Sequence, residues 1–269
     1  MEIINKQDII NALLEYNRTL NKNVGRRDIP RTLNNLCVKN FGSFNNAKIA
    51  AGLKICRRTC PELSEESKKH TLELVRIVAC LTGDGHLRGD LKEFLFSSKD
   101  INALENFNND VNKQFGIIYS KIEMAYGSYG EGYQYRYFNT NISKFLYSIG
   151  TPKGDKVITP FDVPKWIKKD KEFMREYIKL LFYCEGYKSK SQKPQIAFAM
   201  AKATELLKEG IRFMISLKEI LEILGIEITT ICSNRARRRK KDNKETHYTR
   251  FYIKRAYVDK FIKEIGWLK

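Results

Sequence analysis

One nine-residue pattern occurs twice in the chain, as Ile77-Val-Ala-Cys-Leu-Thr-Gly-Asp-Gly85 and as Ile178-Lys-Leu-Leu-Phe-Tyr-Cys-Glu-Gly186. Each copy ends an apolar run with helical spacing, Leu72 to Leu81 in the first and Phe173 to Tyr183 in the second. Both runs stop at an acid followed by glycine, a residue that commonly ends a helix in the left-handed conformation. An acid is unfavourable there, because the C-terminal end of a helix carries partial negative charge. Two such acids brought together repel each other, so the pattern predicts a site that attracts cations.

The two stretches resemble the LAGLIDADG motif of homing endonucleases, with the final acid–glycine pair of the motif at Asp84-Gly85 and at Glu185-Gly186. The resemblance implies that both acids are catalytic and bind a divalent metal ion, Mg²⁺ or else Mn²⁺. It also implies that the carbonyl groups of the preceding residues, Gly83 and Cys184, are metal ligands. Carboxylates that hold Mg²⁺ suit phosphodiester hydrolysis, because hard cations prefer oxygen ligands and can activate water and stabilise the leaving oxygen.

In this family the two motif helices cross at small residues, and small residues four positions apart let two helices approach closely. The first copy has them at Ala79 and Gly83. The second copy has Leu180 at the earlier position and keeps only Cys184 small. Leu180 departs from the pattern, so the closeness of the predicted crossing is left open, whereas both acids are kept.

From about Ser64 onward the chain repeats itself around the two motifs. The closing segments Ile142-Ser-Lys-Phe-Leu-Tyr-Ser-Ile-Gly150 and Val258-Asp-Lys-Phe-Ile-Lys-Glu-Ile-Gly266 share Lys-Phe and Ile-Gly in register. The repetition predicts an α+β fold with a duplicated αββαββα unit, one copy in residues 66–168 and the other in residues 169–269. The family resemblance implies that the copies form a saddle around a pseudo-twofold axis. The predicted strands are Phe94–Ser98, Ile118–Ala125, Tyr133–Phe138, Gln195–Ala199, Glu227–Cys232 and Tyr248–Ile253.

The segment between the two copies carries a further resemblance. Thr151-Pro-Lys-Gly-Asp-Lys156 and Val163-Pro-Lys-Trp-Ile167 are similar to the linker of archaeal and intein-type LAGLIDADG proteins. With this linker the resemblance covers residues 70–269 almost continuously.

Residues 1–60 are predicted to form a separate all-α domain of short helices, the second over Arg31–Phe41 and the third over Asn45–Ala51 with Ser43 as its N-cap. Phe41-Gly-Ser-Phe44 followed by Ala50-Ala-Gly-Leu53 resembles the homing-endonuclease-associated repeat, a small helical DNA-binding module. The alternative is a helical subdomain with a purely structural role.

The charge balance favours a polyanionic partner. The 269 residues include 49 Lys and Arg against 31 Asp and Glu, a net charge of +18, and nucleic acid is the commonest partner of such chains. The family resemblance implies double-stranded DNA with a long asymmetric target, bound by a monomer. The sequence has no apolar run of membrane-spanning length and no signal peptide, so we expect a cytoplasmic prokaryotic protein that associates with the nucleoid when bound.

The six cysteines have no secretory context and predict reduced thiols. Cys56, Cys60 and His70 lack a second close cysteine pair, which disfavours a zinc site. Cys80 and Cys184 lie inside apolar helical runs and are predicted to pack in the core.

The resemblance also implies lysines near the scissile phosphates. Lys99 follows Ser97-Ser98, where the family has a polar residue and a lysine, and Lys188 lies three residues beyond Glu185. Lys202 is an alternative by its register with Lys99. An ammonium group there stabilises charge or positions water. For any one lysine in so basic a chain, an ordinary solvated side chain is the alternative.

The segment Arg235-Ala-Arg-Arg-Arg-Lys-Lys241 joins two predicted strands of the second copy, and its six basic residues predict contacts with phosphates. Polar residues on the strands are candidates for contacts with base edges. The full set of predicted DNA-binding residues is Ser98, Arg136, Gln195, Lys202, Arg235, Arg237, Arg238, Arg239 and Arg250.

Two functions follow from these observations. The first is a site-specific double-stranded DNA endonuclease that hydrolyses phosphodiester bonds with a divalent metal, as the resemblance to homing endonucleases and intron homing implies. The second is a non-cutting DNA- or RNA-binding descendant of such a nuclease, either a regulator or an intron maturase. Retention of both acids favours the first, because a pure binder has no need for two carboxylates facing a phosphate.

Overall fold

A computed structural model describes residues 5–21, 24–26, 28–55, 62–117, 122–127, 130–188, 195–235 and 238–266 of the chain. The chain divides into two compact units, Met1–Thr59 and Cys60–Lys269. None of the helices in these ranges combines the length and the apolar composition needed to cross a membrane.

Within its described residues the N-terminal unit contains three helices, α1 Lys6–Thr19, α2 Arg31–Phe41 and α3 Phe44–Ala50. The side chain of Asn5 caps α1, and the Ser43 side chain accepts a hydrogen bond from the Asn46 amide at the start of α3, as the sequence predicts. Gly42 ends α2 at φ 77°, a left-handed conformation that suits glycine. The helices enclose their own core, which includes Ile9, Leu13, Cys37, Phe44 and Ala47.

The second unit contains two copies of one element order. The first copy consists of α4 Leu72–Thr82, β1 His86–Leu87, β2 Phe94–Ser98, α5 Ile101–Phe115, β3 Glu123–Gly127, β4 Gly130–Tyr137 and α6 Thr140–Ser148. The second consists of α7 Lys171–Glu185, β5 Gly186–Lys188, β6 Ile196–Ala203, α8 Leu207–Ile223, β7 Cys232–Arg235, β8 Thr246–Tyr252 and α9 Val258–Glu264.

The two sheets have the same topology. Their strand orders are β1-β2-β4-β3 and β5-β6-β8-β7, and every pairing is antiparallel. The predicted duplication of an αββαββα unit in an α+β fold is therefore confirmed. One face of each sheet packs on the helices and the other is open, as a saddle requires; on β2, for example, Phe94 and Phe96 are buried while Leu95 and Ser97 are half-buried.

Several predicted strands differ in their bounds. The strand expected over Glu227–Cys232 is reduced to a single bridge between Ile228 and Ile253, and β7 begins only at Cys232. The strand expected from Ile118 begins at Glu123 among the described residues, and residues 118–121 lie outside them. The short strands β1 and β5 were not predicted individually, because two or three residues are too few to show a periodic pattern.

The two copies share one hydrophobic core, which runs from Leu74 in α4 to Ile265 after α9. At its centre α4 packs against α7, and their C-terminal ends are in contact. A Cβ atom on Gly83 would lie 2.8 Å from the Cys184 sulfur and still closer to its Cβ. Leu180 does not prevent this approach, because it is half-buried and lines a groove beside α5.

We expect Gly83→Ala to destabilise the second unit by about 1–3 kcal/mol, the usual effect of overpacking a core. The added methyl group would overlap Cys184, whose Cβ position is fixed by the helix backbone. Urea unfolding measures the change. Gly89→Ala is the matched control, because no atom lies within 4 Å of a Cβ at that position and its effect should stay within about 0.5 kcal/mol. Equal stability of the two variants would contradict the close crossing.

Candidate active site and sheet surface

The two predicted acids lie at the adjoining C-terminal ends of α4 and α7. Asp84 is exposed one residue beyond the C-cap Gly83, and Glu185 is the half-buried last residue of α7. Because Gly83 and Cys184 are in contact, the residues that follow them emerge side by side. Strand β1 begins two residues after Asp84, and β5 begins directly after Glu185. The acid pair therefore lies between the two sheets, at their β1 and β5 edges.

Gly85 makes the tight turn after the first acid possible. Its amide donates a 2.8 Å hydrogen bond to the carbonyl of Cys80. A Cβ at this position would lie 2.9 Å from that oxygen and 2.9 Å from Leu81 Cα. Close packing therefore requires glycine here. The left-handed conformation predicted for the glycine after each acid is wrong, because neither Gly85 nor Gly186, with φ −78° at the latter, adopts it. The turn directs the chain from α4 into β1.

Lys156, which was not predicted as a site residue, contacts the end of α4. Its ammonium group donates to the carbonyl oxygens of Gly83 and Gly85, the latter at 2.9 Å, and lies 3.4 Å from that of Leu81. The side chain is half-buried. Burial lowers the pKa of Lys156, and the negative charges of Glu185 and Asp84 oppose that shift. A lysine of the linker thus supplies a positive charge to the acid pair.

The backbone around Lys156 is held by the second copy of the fold. The Lys202 ammonium donates to the carbonyl oxygens of Lys156 at 2.6 Å and of Thr159 at 2.8 Å. The Ala203 amide donates to the Val157 carbonyl at 3.0 Å. On the side of the first copy, the Gly154 amide donates to the carbonyl of Leu87, the last residue of β1. The linker is therefore an ordered component of the site.

The donor groups at the acid pair suit Mg²⁺. Two carboxylates and the carbonyls of Gly83 and Cys184 are hard oxygen donors, and Mg²⁺ in proteins commonly uses one or two carboxylates together with water and substrate phosphates. Within the described ranges there is no cluster of three or more His, Cys, Asp and Glu residues suited to a metal. An ion here would thus take its remaining ligands from backbone, water or substrate. The Gly83 carbonyl is shared with the Lys156 ammonium.

The lysines predicted from the resemblance occupy different environments. Lys99 is exposed and follows β2, with its ammonium 3.9 Å from the Cβ position of Gly130. Lys188 is exposed at the end of β5, where it pairs with Ile196. Ser98 is half-buried, and its hydroxyl accepts a hydrogen bond from the Asp100 amide at the start of α5. The proposed roles of these three residues remain predictions.

Lys202 does not lie on a DNA-facing surface. Its side chain is 0% exposed, and its ammonium lies 3.7 Å from the centre of the Phe161 ring. The predicted DNA contact of Lys202 is therefore wrong for this structure. The predicted register of Lys202 with Lys99 is also wrong. Leu95 pairs with His86 and Ala197 pairs with Tyr187, and each of these partners lies two residues beyond one of the acids. Leu95 therefore corresponds to Ala197, and Lys99 corresponds to Ala201. A shift of one residue turns a side chain to the opposite face of a sheet.

The open faces of the sheets carry several of the predicted DNA-binding residues. Arg136 pairs with Leu95 on β2, and Arg250 lies between Ala199 and Cys232 on the corresponding face of the other sheet. Both arginines are half-buried. Gln195 directly precedes β6 and shares its strand parity with Ala199.

Three tyrosines share this open face in the second sheet: Tyr187, Tyr248 and Tyr252. The Arg250 guanidinium lies 5.8 Å from the centre of the Tyr252 ring. Aromatic rings beside arginines are typical of nucleic-acid-binding surfaces.

Part of the basic insertion, residues 235–241, forms ion pairs within the protein. Arg239 forms an ion pair with Asp155 of the linker, and its side chain is only 17% exposed. Arg238 pairs with Glu245 at 3.1 Å but stays 63% exposed. The side chain of Arg235 and the whole of Arg237 lie outside the described residues. The predicted phosphate contact of Arg239 would require it to leave Asp155.

No family model matches the chain. The chain is 28% identical over 210 residues to the tRNA-splicing ligase RtcB of Methanopyrus kandleri. It is 27% identical over 206 residues to the replication factor C small subunit of Methanocaldococcus jannaschii. These matches cover 72% and 71% of this chain but only 20% and 11% of the two proteins.

Two solved structures are similar at low identity. The homing endonuclease I-WcaI bound to its DNA recognition sequence matches with a TM-score of 0.44 at 12% identity, covering 77% of this chain and 83% of that one. The N-terminal LAGLIDADG domain of WhiA matches with a TM-score of 0.42 at 14% identity, covering 80% of this chain and 97% of that one.

We expect Lys202 to make stability depend on pH near neutrality. Burial, and then the nearby charge of Lys156, lower the pKa of Lys202 from its ordinary value of 10.5 to about 7. Between these values the unfolded chain holds a proton that the folded protein releases. The free energy of unfolding therefore rises with pH in this window, by at most about 1.4 kcal/mol per unit from one group. Below pH 7 both the folded and the unfolded state hold this proton. The contribution of Lys202 to the free energy of unfolding is therefore constant there and at its least favourable.

Urea unfolding of the wild type and Lys202→Met at pH 7, 8 and 9 measures this effect. The wild type should gain stability relative to the variant as the pH rises. Lys218→Met, on the partly exposed surface of α8, is the control and should follow the wild type. Parallel pH profiles for the wild type and Lys202→Met would contradict the shifted pKa.

Proposed function

We propose that the chain is a LAGLIDADG-type protein that binds double-stranded DNA and hydrolyses one phosphodiester bond in each strand with the help of a divalent metal ion. The observation that carries the proposal is the contact of Gly83 with Cys184, because the next residues along the chain are Asp84 and Glu185, just before strands β1 and β5 begin. The sequence motifs and the duplicated topology support the same assignment.

The pseudo-symmetry of the protein matches the local symmetry of its proposed substrate. The two strands of a DNA duplex are related by a local dyad, and a protein with a matching axis can present equivalent groups to both. A duplex lying across the open faces of the sheets would pass over the acid pair. Arg136 and Arg250 lie on equivalent faces of the two sheets, and we propose that they contact the duplex on both sides.

Each group of proposed site residues would have a separate role in the reaction. Asp84 and Glu185, together with the carbonyls of Gly83 and Cys184, would hold Mg²⁺, which supplies activation of water and stabilisation of the leaving oxygen. Lys99 and Lys188, which are both exposed, are the candidates for stabilising phosphate charge. The basic insertion would contact the phosphate backbone through side chains such as Arg238, which is largely exposed.

The distribution of similar segments supports a self-contained module. Stretches similar to about 70% of this chain occur as minor parts of two longer proteins that are named for different tasks. A unit that moves between genes, as homing endonucleases do, produces such a distribution. We also propose that the protein acts as a monomer in the cytoplasm, because one chain contains both copies of the unit, and that residues 1–59 add contacts to a long asymmetric target.

One observation favours a non-cutting protein as the second candidate. The Lys156 ammonium binds the Gly83 carbonyl, one of the oxygens proposed to hold metal. A descendant that only binds DNA or RNA could use an internal cation in place of a metal ion. Mapping the ends produced from host and related genomic DNA in Mg²⁺ separates the two candidates, because only a nuclease yields a defined cut.

We expect Asp84→Asn and Glu185→Gln each to reduce double-strand cutting at least about a hundredfold, the usual loss when one charge-stabilising group is removed from an active site. Each change keeps the shape of the side chain but removes a charge and a hard ligand. Affinity for the same DNA in Ca²⁺ should be kept or increased, because one negative charge facing the phosphates is lost.

The measurement pairs a Mg²⁺ cleavage assay on the mapped target with a binding assay. Asp90→Asn is the matched control, because Asp90 lies near Arg88 and Lys92 in an exposed turn outside the acid pair, and it should cut at the wild-type rate. Wild-type cutting by Asp84→Asn would show that this acid only ends a helix and would overturn the nuclease assignment.

We expect DNA binding to weaken strongly with salt. If about six to ten phosphates are neutralised, affinity should fall roughly 10³–10⁵-fold between 50 and 200 mM salt. Combining Arg136→Gln and Arg250→Gln should lower the slope by up to about 2, since each arginine is proposed to neutralise one phosphate. Arg212→Gln with Lys218→Gln, on helix α8, is the charge-matched control. An equal loss of slope in both double variants would contradict binding on the open faces.

A further inference from the structure

We propose that the Lys156 ammonium is the resident cation of the acid pair: it balances Asp84 and Glu185 in the metal-free protein and competes with a divalent ion for the Gly83 carbonyl. The charge balance is a property of the protein alone. The competition rests on the proposed metal-dependent function, and through it Lys156 would set how tightly the site binds metal.

The hydrogen bonds of Lys156 place its charge at the end of α4. The carbonyls of Leu81, Gly83 and Gly85 all point toward one ammonium group, at 3.4 Å for Leu81 and 2.9 Å for Gly85. Carbonyl groups at a helix C-terminus carry partial negative charge and favour a cation. A cluster of carbonyl oxygens beside carboxylates is also what a hard metal ion prefers. The ammonium and a metal ion would therefore seek the same oxygens.

The backbone of the linker is anchored so that Lys156 reaches this place. Lys202 binds the carbonyls on either side of the segment 157–158, and Gly210 leaves room for the Lys202 side chain, since a Cβ there would lie 2.7 Å from Lys202 Cγ. Asp155 is held by Arg239 of the basic insertion. A lysine carried on a loosely held loop would leave its site at little cost, whereas this one is fixed on both sides.

Two unit charges a few ångströms apart interact strongly in a partly buried site. Removal of the ammonium should thus have two opposite effects. Without metal, the two acids lose a compensating charge and the protein should become less stable. With metal, the ion loses both a competitor and a repelling charge, so it should bind more tightly. A lysine that only anchored the linker would give the first effect without the second.

The test compares the wild type, Lys156→Met and Lys153→Met. Lys153 is the matched control, because it belongs to the same linker but lies over the Tyr147 ring at 4.3 Å. Calcium binding without DNA is measured by calorimetry, and thermal unfolding is followed in EDTA and in saturating Ca²⁺. We expect Lys156→Met to bind Ca²⁺ at least about tenfold more tightly than the wild type, to unfold at a lower temperature in EDTA, and to recover in Ca²⁺. Lys153→Met should match the wild type in all three measurements.

A double variant tests the charge balance without metal. If Lys156 balances the acids, adding Glu185→Gln to Lys156→Met should restore much of the unfolding temperature lost in EDTA, or restore folding if Lys156→Met alone does not fold. Purely additive effects of the two substitutions, or a double variant that stays unfolded, would overturn the counter-ion role. Calcium affinity unchanged in Lys156→Met would overturn the competition.

Failure of the proposed function gives a different result. If no variant binds Ca²⁺ and the wild type cuts no DNA, the metal-dependent nuclease fails and the competition fails with it. The comparison of Lys156→Met with its double variant in EDTA needs neither metal nor DNA. It therefore still decides whether Lys156 balances the charge of the acids.

Discussion

The rest of the second unit depends on the close contact of two helix ends, where Gly83 meets Cys184 with no room for another carbon atom. This contact makes one site out of two repeated sequences. Each helix alone would end in an exposed acid next to its own partly negative carbonyl groups. Together they bring two carboxylates and several carbonyl oxygens close to one another, and strands β1 and β5 begin just after them. The concentration of negative charge has to be balanced, and the contacts of the linker are organised around that need.

The linker between the repeats carries the balancing charge. Lys156 extends from the linker to the first repeat, while Lys202 and the Ala203 amide of the second repeat bind the carbonyls of Lys156 and Val157. Lys202 is buried in turn against Phe161, and its hydrogen bonds are to backbone carbonyls. A buried amine with a pKa of about 7 costs stability at and below neutral pH. The fold retains this unfavourable group in a position where it fixes a second lysine at the proposed catalytic centre.

Sequence alone predicted those features that depend on local patterns. The bounds of α2 and β2 and the Ser43 cap follow from residues within a few positions of each other. The acid pair followed from repetition of one pattern. The role of Lys156 could not be predicted in this way, because its hydrogen-bond acceptors lie more than 70 positions earlier in the chain. The face of Lys202 was mispredicted because an alignment shifted by one residue reverses a strand side chain.

The position of Lys156 also has a consequence for exchanging repeats between related proteins, as in building chimeras with altered specificity. The tip of this side chain belongs to the first half of the molecule, whereas the groups that hold its backbone belong to the second. No junction within the linker therefore separates the halves cleanly. A hybrid protein whose second half comes from a relative would hold the linker through different contacts, unless Phe161, Lys202 and Gly210 are kept together with the first half. Compatibility of such hybrids is thus decided by contacts beneath the sheets and not on their open faces.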